Sequence, residues 1–362
     1  MSNVLEIKGN PNECVRKFFK HLLDSGKVEG IFALGKQDEG FHYLLVTDSA
    51  KLDDIYPFTP FMPENAANLL SRLTSIKKFS KRIAVFIRPC ELRAFIELVK
   101  REQATRENII FISPICGGVL TFKPYAEGNL ENALPDYWKA FSKKENATGI
   151  RPTCGACEHF IPLNADITVF PVDDSCEFYL NTPLAEEVAK DAPGETSEGE
   201  LDETTFAPVM DIRKAEKEKL FEQLNLENFG IDGLIDTYGR CLGCHGCGTV
   251  CPICFCALCT FDAKENEFTP ALFENELIKR GAMRIPPNTI FYQLGRVTHM
   301  GISCVGCGMC SDVCPADIPV SSIFLRVGEA SQAIFDYLPG KDYEEPVPLA
   351  AFVENELTDI ED

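Results

Sequence analysis

The stretches CLGCHGCGTVCP, residues 241–252, and CVGCGMCSDVCP, residues 304–315, decide how the second half of this chain folds. Both follow the pattern C-x2-C-x2-C-x3-C-P. In this pattern three closely spaced thiolates hold one 4Fe-4S cluster, and the fourth cysteine, before proline, completes the other cluster. The repeated motif therefore predicts a dicluster 4Fe-4S domain of the ferredoxin-like type.

The predicted ligands form two sets, each with three cysteines from one motif and the last cysteine of the other. Cluster 1 is assigned to Cys241, Cys244, Cys247 and Cys314, and cluster 2 to Cys251, Cys304, Cys307 and Cys310. Structural zinc is disfavoured, because a zinc site uses paired C-x2-C knuckles with four ligands in total. Four glycines within the motifs are expected to let backbone amides approach the sulfurs: Gly243, Gly246, Gly306 and Gly308.

Three further cysteines follow the first motif in CPICFCALC, residues 251–259. Cys254, Cys256 and Cys259 are either ligands of a further site or buried small hydrophobic side chains, and the sequence leaves both interpretations open. His245 lies inside the first motif and His299 just before the second, and both are interpreted as hydrogen-bond donors to sulfur or packed side chains rather than ligands.

Another group of cysteines lies in the first half of the chain. Cys90 and Cys116 each follow a predicted strand, and strand ends of an α/β sheet gather at one edge, so the two are expected to meet. With the C-x2-C pair Cys154 and Cys157 they provide four ligands for a third cluster. The alternative is two buried thiols and an accidental pair. Cys14 and Cys176 have no spacing partners and are interpreted as free buried cysteines.

The first 180 or so residues alternate between helical and strand patterns. A helix is predicted at 11–25 and strands at 28–34 and 43–46. These are followed by a helix at 63–76, a strand at 83–87, a helix at 90–101 and a strand at 109–112. Such alternation predicts an α/β sheet domain.

Four regions are expected along the chain. An α/β domain covers 1–182, an acidic linker 183–209, the dicluster domain 210–338 and an acidic tail 339–362. The linker is predicted because APGETSEGELDETT, residues 192–205, has too few apolar side chains to order itself. Within the dicluster domain, helices are predicted at 211–224, 272–280 and 289–300.

Composition narrows the classes of partner and the compartment. The 362 residues are 45% hydrophobic, with 35 Lys and Arg against 55 Asp and Glu, a formal net charge of -20. This charge disfavours nucleic acid and anionic membranes as partners. The sequence shows no signal peptide and no run of about 18 apolar residues, so a cytoplasmic location is expected. The 17 cysteines are then expected to be reduced and to bind metal rather than form disulfides.

The motifs as a series resemble a known family. IRPCELRAFIELVK (87–100), NIIFISPICGG (108–118) and RPTCGACEHFIPLNADITVF (151–170) resemble the beta subunits of coenzyme F420-reducing hydrogenase and formate dehydrogenase. CLGCHGCGTVCPICFCALC (241–259) and RVTHMGISCVGCGMCSDVCPADIPV (296–320) are similar to formate dehydrogenase beta subunits in particular.

The resemblance implies FAD, exchange with coenzyme F420 and a third cluster at Cys90, Cys116, Cys154 and Cys157. FAD would convert two-electron transfer into single-electron steps for the clusters. The first helix differs from the family, which usually begins it with a glycine-glycine turn, whereas residues 10–23 read NPNECVRKFFKHLL.

The expected function is an electron-transfer subunit of an anaerobic oxidoreductase complex of the formate dehydrogenase, hydrogenase or heterodisulfide reductase type. Its expected partners are a catalytic subunit or a ferredoxin. One alternative is a self-sufficient flavoenzyme that oxidises reduced F420 or NAD(P)H. Another is a cofactor-free scaffold that docks the ferredoxin segment. No acid, base or nucleophile pattern indicates bond chemistry of its own, so no catalytic residue is assigned.

Overall fold

The computed structural model describes residues 3–38, 40–228, 230–263, 269–281 and 289–350. In these ranges eight strands form one sheet: β1 (Asn3–Lys8), β2 (Gly30–Gln37), β3 (Gly40–Val46), β4 (Ile83–Phe86), β5 (Ile109–Pro114), β6 (Ile167–Val172), β7 (Ser175–Leu180) and β8 (Glu195–Glu198). The strand order is β3-β2-β4-β5-β6-β7-β1-β8. Strands β2, β4, β5 and β6 are parallel, and the remaining pairings are antiparallel.

Helices cover the sheet and make up most of the second half. Those of the first half are α1 (Pro11–Asp24), α2 (Ala66–Thr74), α3 (Pro89–Lys100), α4 (Phe122–Ala126), α5 (Leu130–Ser142), α6 (Pro152–Gly155) and α7 (Pro183–Ala189). Those of the second half are α8 (Ala207–Leu224), α9 (Gly230–Tyr238), α10 (Gly246–Thr249), α11 (Pro270–Arg280), α12 (Thr289–Met300), α13 (Met309–Asp312) and α14 (Val320–Ile334).

Both faces of the central strands are buried, because successive side chains of a strand point to opposite faces. Phe86 on β4 and Ile112 on β5 pack in the core beneath α1, whereas Val85 and Phe111 pack in the core beneath α2 and α3. This is the arrangement expected of parallel strands with helices on both sides. The predicted α/β architecture is confirmed, and so are the helices and strands predicted for residues 11 to 112.

Two features of the sheet were not indicated by the sequence. The chain does not open with a helix: β1 precedes α1 and lies between β7 and β8, and the alternating burial of Leu5 and Ile7 was a strand signal. The stretch predicted as a linker at 183–209 contains α7 and β8. All four residues of β8 are exposed, so this strand is held by backbone pairing to the edge of β1 rather than by apolar burial.

The segment that follows α14 also differs from the expected acidic tail. Through residue 350 it packs on α3, where Arg93 Nε donates to Pro339 O at 2.7 Å and Gly340 N donates to Glu97 Oε1 at 2.9 Å. Tyr337 Oη donates to the same buried carboxylate at 2.6 Å. These contacts tie the end of the second half to the sheet domain. Residues 351–362 of the predicted tail lie outside the described residues.

The second half has a small core of its own. Tyr238, Ile253, Met300, Ile318 and Phe324 form it, and several cysteines of both motifs pack against it. The three helices predicted for this half are confirmed as α8, α11 and α12. The division into domains remains a prediction. No helix in the described ranges is long and apolar enough to cross a membrane.

Phe18 is a test of the sheet core. Its ring is fully buried and lies 5.0 Å from that of Phe178. Phe18→Ala is expected to lower the free energy of unfolding by about 3–5 kcal/mol, since it removes a large buried ring and leaves a cavity. Denaturant unfolding followed by fluorescence of Trp138, the single tryptophan, measures this.

The matched control for Phe18→Ala is Ile76→Ala. The Ile76 side chain is 97% exposed. Its removal is expected to change stability by no more than about 0.5 kcal/mol. Equal effects of the two substitutions would contradict the described core.

Candidate metal centres

The four cysteines assigned to cluster 2 line one cavity. Cys251 of the first motif faces Cys304, Cys307 and Cys310 of the second across it, so the predicted exchange of the last cysteine between motifs is compatible with the fold. Apolar side chains close the cavity, among them Phe324. A space walled by four sulfurs and little else that is polar suits a thiolate-bound cluster.

The cysteines assigned to clusters 1, 2 and 3 are called sets 1, 2 and 3. Set 1 lies beside the N-terminal end of α10. Burial and the nearby charges of Cys247 and Cys244 raise the pKa of Cys241. The Gln293 side chain of α12 donates to Cys247 Sγ at 3.7 Å. The fourth predicted ligand, Cys314, lies on the other motif. Its neighbour Val313 approaches the first motif, because a Cβ at Gly246 would lie 3.9 Å from Val313 O.

Arg296 on α12 lies between the two motifs. It is 3% exposed, and its guanidinium donates to Cys247 O at 3.0 Å. Burial alone would lower its pKa, but the nearby charges of Cys247 and Cys251 raise it above the ordinary value for arginine. Arg296 therefore remains a cation at the junction of sets 1 and 2.

The third set is assembled from three loops of the sheet domain. Cys90 lies at the start of α3 after β4, Cys116 follows β5, and Cys154 and Cys157 lie in and just after α6. Burial raises the pKa of Cys90, and the nearby charges of Cys116 and Cys154 raise it further. Burial also raises the pKa of Cys116 and of Cys154, and the nearby charge of Cys157 raises both further. Gly118 N donates to Cys116 Sγ at 3.4 Å, and a Cβ at Gly118 would lie 3.3 Å from Cys154 Cβ. Cys90 packs with Cys154 against Met62, and Arg213 donates to the carbonyls of both Cys116 and Cys157, so the four predicted members are near neighbours.

Sets 2 and 3 meet where the two halves of the chain touch. Cys90 and Cys154 pack with Cys307 against the buried side chains of Met62 and Met309. Sets 1 and 2 meet likewise, because α10, which carries Cys247, packs against α13, which carries Cys310. The three sets therefore form a continuous series through the interior.

Four buried arginines surround the third set: Arg88, Arg93, Arg151 and Arg213. The positive charges of the arginines interact electrostatically with the cysteines of the third set. Arg213 of α8 also donates to the carbonyls of Cys157 at 3.3 Å and Cys116 at 3.2 Å. A thiolate-bound cluster is anionic, so these cations suit it. The sequence analysis missed these arginines, although Arg-Pro just before Cys90 and again before Cys154 was a signal.

Arg151 links the two halves of the chain through buried contacts. Its Nε donates to Asp312 Oδ2 at 2.5 Å and its Nη1 to Cys307 O at 2.9 Å. Gly308 lies against it with φ at +83°, and a Cβ there would lie 2.6 Å from Thr153 Oγ1 and 2.8 Å from Arg151 Cδ. This glycine therefore permits close approach of the second motif to α6, a contact that the sequence did not indicate.

The thiols fit metal binding chemically. Burial raises the pKa of Cys304 to about 11, although a hydrogen bond from the backbone amide of Gly306 lowers it in part. Burial raises the pKa of Cys154 to about 12, although the charge of Arg151 lowers it in part. A metal that binds them displaces the proton. No three Cys, His, Asp or Glu side chains of the described ranges surround a single ion. The ligands of a cubane are one to each iron and so enclose a volume rather than a point.

The remaining cysteines fall into two groups. Cys14 and Cys176 are buried free thiols in the sheet core, as predicted, and Cys14 Sγ donates to Ile7 O at 3.0 Å. Cys254, Cys256 and Cys259 line one cavity beside set 1.

His245 and His299 line that same cavity. His245 stacks on Tyr292 with ring centroids 3.9 Å apart. This stacking agrees with the predicted packed side chain, and the hydrogen-bond partner is a carboxylate, since Nδ1 lies 2.6 Å from Asp262 Oδ1.

A wide cleft of about 810 Å³ lies at the N-terminal end of α1 and is large enough for a nucleotide cofactor. Its residues do not fit the pyrophosphate of FAD. Asp173, Glu177, Glu200 and Asp202 line it against one lysine, Lys144. The first amides of α1 are also in use, because the side chains of Asn10 and Glu13 cap each other's backbone N–H groups.

Fold and site together define a mixed α/β protein with a cysteine-rich helical half, in which the predicted metal ligands form adjacent sets. No model of a protein family matches the chain.

Two curated proteins match nearly its whole length. The beta subunit of the F420-dependent formate dehydrogenase of Methanocaldococcus jannaschii is 27% identical, over 91% of both chains. The beta subunit of F420-dependent formate dehydrogenase 1 of Methanococcus maripaludis is 29% identical, over 94% of both. The resemblance to formate dehydrogenase beta subunits is confirmed.

A chain in a solved structure of the F420-reducing [NiFe] hydrogenase complex from Methanosarcina barkeri is more distantly similar. It is 13% identical, with a TM-score of 0.46 over 64% of this chain and 93% of that one. This likeness is too weak to carry an argument about function.

Arg151→Met tests the link between the halves. It leaves the carboxylate of Asp312 buried without its partner, so a loss of about 3–5 kcal/mol in the free energy of unfolding is expected. The matched control is Arg326→Met, whose ion pair with Glu227 is exposed and should contribute at most about 1 kcal/mol. Denaturant titration of both variants measures the difference, and similar losses would argue against the described interface.

Proposed function

We propose that this chain is an iron–sulfur electron-transfer subunit of a multi-subunit oxidoreductase of the formate dehydrogenase, hydrogenase or heterodisulfide reductase type. The two ferredoxin motifs hold two 4Fe-4S clusters, and the cysteines of the sheet domain hold a third. The observation that carries the proposal is the continuity of the three cysteine sets: α10 with Cys247 packs against α13 with Cys310, and Cys307 packs with Cys90.

The chain's own residues would set the properties of this relay. Arg296 places a cation between the first and second sets, and Gln293 donates hydrogen bonds toward sulfurs of the first. Around the third set, buried arginines place further cations, and Arg213 donates to the backbone carbonyls of Cys116 and Cys157. Charge and hydrogen bonds to sulfur are the means by which a protein adjusts a cluster potential within its wide range.

The relatives support assembly with a catalytic subunit, since both are named as beta subunits of F420-dependent formate dehydrogenases. By analogy, coenzyme F420 is the first two-electron carrier to test. Bound FAD would supply conversion between two-electron and one-electron transfer. Because the described cleft does not suit a pyrophosphate, the proposal assigns no step to FAD, and electrons would enter through a partner protein.

The first experiment is anaerobic purification with measurement of iron, acid-labile sulfide and flavin per polypeptide. At least about twelve irons with matching sulfide and no flavin would support a three-cluster relay fed by a partner. Stoichiometric flavin that is bleached by reduced F420 or NAD(P)H without a partner would support a self-sufficient flavoenzyme instead. Zinc in place of iron and sulfide would overturn the relay.

Cysteine variants assign the clusters. Cys244→Ala, Cys307→Ala and Cys154→Ala are each expected to remove about four irons relative to the unaltered chain, because each deletes a ligand of a different set. Electron transfer between dithionite and a dye acceptor should fall in parallel. Cys176→Ala is the control, since this thiol is buried in the sheet core away from the three sets. Full iron content in any of the three variants would refute that ligand assignment.

Arg296→Met tests the proposed charge effect. Loss of a cation beside Cys247 and Cys251 disfavours the more negative reduced cluster, so the potentials of clusters 1 and 2 should become more negative by tens of millivolts, on the order of 1 kcal/mol. Redox titration followed by electron paramagnetic resonance measures this. Arg326→Met, on exposed α14 surface, is the control, and equal shifts in the two variants would count against a specific role for Arg296.

A further inference from the structure

Three cysteines outside the ferredoxin motifs share a cavity near the surface. Cys254, Cys256 and Cys259 follow the first motif directly and line a cavity of about 100 Å³. The cavity of the Cys251 set has a volume of about 30 Å³ by the same measure. The cavity beside the three cysteines is therefore at least as large as the one lined by the predicted ligands of cluster 2.

An imidazole in the same wall is held as metal-binding histidines are held. His245 lines the cavity, and its Nδ1 lies 2.6 Å from a carboxylate oxygen of Asp262. Sharing a proton with the carboxylate places it on Nδ1 and leaves the lone pair on Nε2. Stacking on Tyr292, with the ring planes 13° apart, fixes the ring orientation.

We propose that Cys254, Cys256, Cys259 and His245 bind a further 4Fe-4S cluster at the surface end of the series. Three thiolates and one imidazole match the four irons of a cubane, one ligand to each iron. The metal site stands on this cavity alone, whereas its part in electron transfer rests on the proposed function.

The place of the cavity in the fold agrees with this assignment. Cys254 N donates to the carbonyl oxygen of Cys251, a member of the second set, at 3.1 Å, and Arg296 lines both cavities. Cys256, two residues further along the chain, is exposed. The site thus connects the buried sets to the protein surface, where a partner could exchange electrons.

Tetrahedral zinc is the competing occupant of three thiols and an imidazole. Its donors all lie about 2.0–2.3 Å from one point. In the described ranges no three Cys, His, Asp or Glu side chains could hold a single metal ion, and the cavity that these four residues line also reaches Thr249, Phe261 and His299. The available room favours a cluster over a single ion.

Cys256→Ala and Cys259→Ala test the site in the full chain, purified without oxygen. Each is expected to lower the content by about four irons and four sulfides. Both lie in a partly exposed loop, so the fold should tolerate them. Cys176→Ala controls for the loss of a thiol as such. Unchanged iron in both loop variants, or loss of about one zinc instead, would overturn the proposal.

A second comparison keeps this result separate from the proposed relay. If Cys244→Ala loses about four irons while Cys256→Ala loses none, the relay stands and the further site is refuted. If the double variant, with Cys244→Ala and Cys256→Ala together, loses about eight irons, the two sites bind clusters independently and both proposals are supported.

The histidine ligand is tested with a matched pair of substitutions. His245→Gln is expected to convert the surface cluster to a three-iron form, visible by electron paramagnetic resonance of the oxidised protein. His299 lines the same cavity, but no carboxylate of the described residues bonds to it. His299→Gln should therefore leave the signal unchanged. The reverse outcome would overturn the assignment of His245.

Discussion

The buried ion pair of Arg151 and Asp312 is the contact on which the arrangement of the cysteine sets depends. Arg151 is 1% exposed, so its charge is stable there only while its partners stay in place. Those partners come from both halves: Asp312 and the carbonyl of Cys307 from the second motif, and the carbonyl of Met62 from the sheet domain. Holding this one guanidinium fixes Cys154 against Cys307 and thereby joins the second and third sets.

The sheet prepares that contact. Cys90 and Cys116 follow adjacent parallel strands, which deliver them to the same edge, and Arg88 is anchored nearby through bonds from its Nη2 to Thr59 O at 2.7 Å and Phe61 O at 2.8 Å. A chain with a net charge of -20 thus concentrates cations inside, around the thiols. In a low-dielectric interior these charges act more strongly than they would at the surface. They offset the negative charge that thiolate-bound clusters would bring.

Much of the fold could be predicted because its signals are local. Strands such as β4 and β5 are short apolar runs, and α1 has regular helical spacing after a capping residue. Prediction failed where order comes from distant backbone partners. Strand β8 consists of four exposed polar residues that become a strand only because β1 offers an unpaired edge. The segment after α14 is ordered by Arg93 and Glu97, more than 240 positions earlier in the chain.

The site divides in the same way. The sequence by itself determined which cysteines are candidate ligands, because the C-x2-C-x2-C-x3-C-P spacing reflects the local wrapping of chain around a cubane. It also determined that Cys90 and Cys116 would meet, since strand order implies a shared edge. Only the tertiary structure decided that the sets adjoin one another, that Arg151, Arg213 and Arg296 lie among them, and that His245 pairs with Asp262. Those contacts join residues far apart in the chain, and spacing along a sequence carries no information about them until the core has packed.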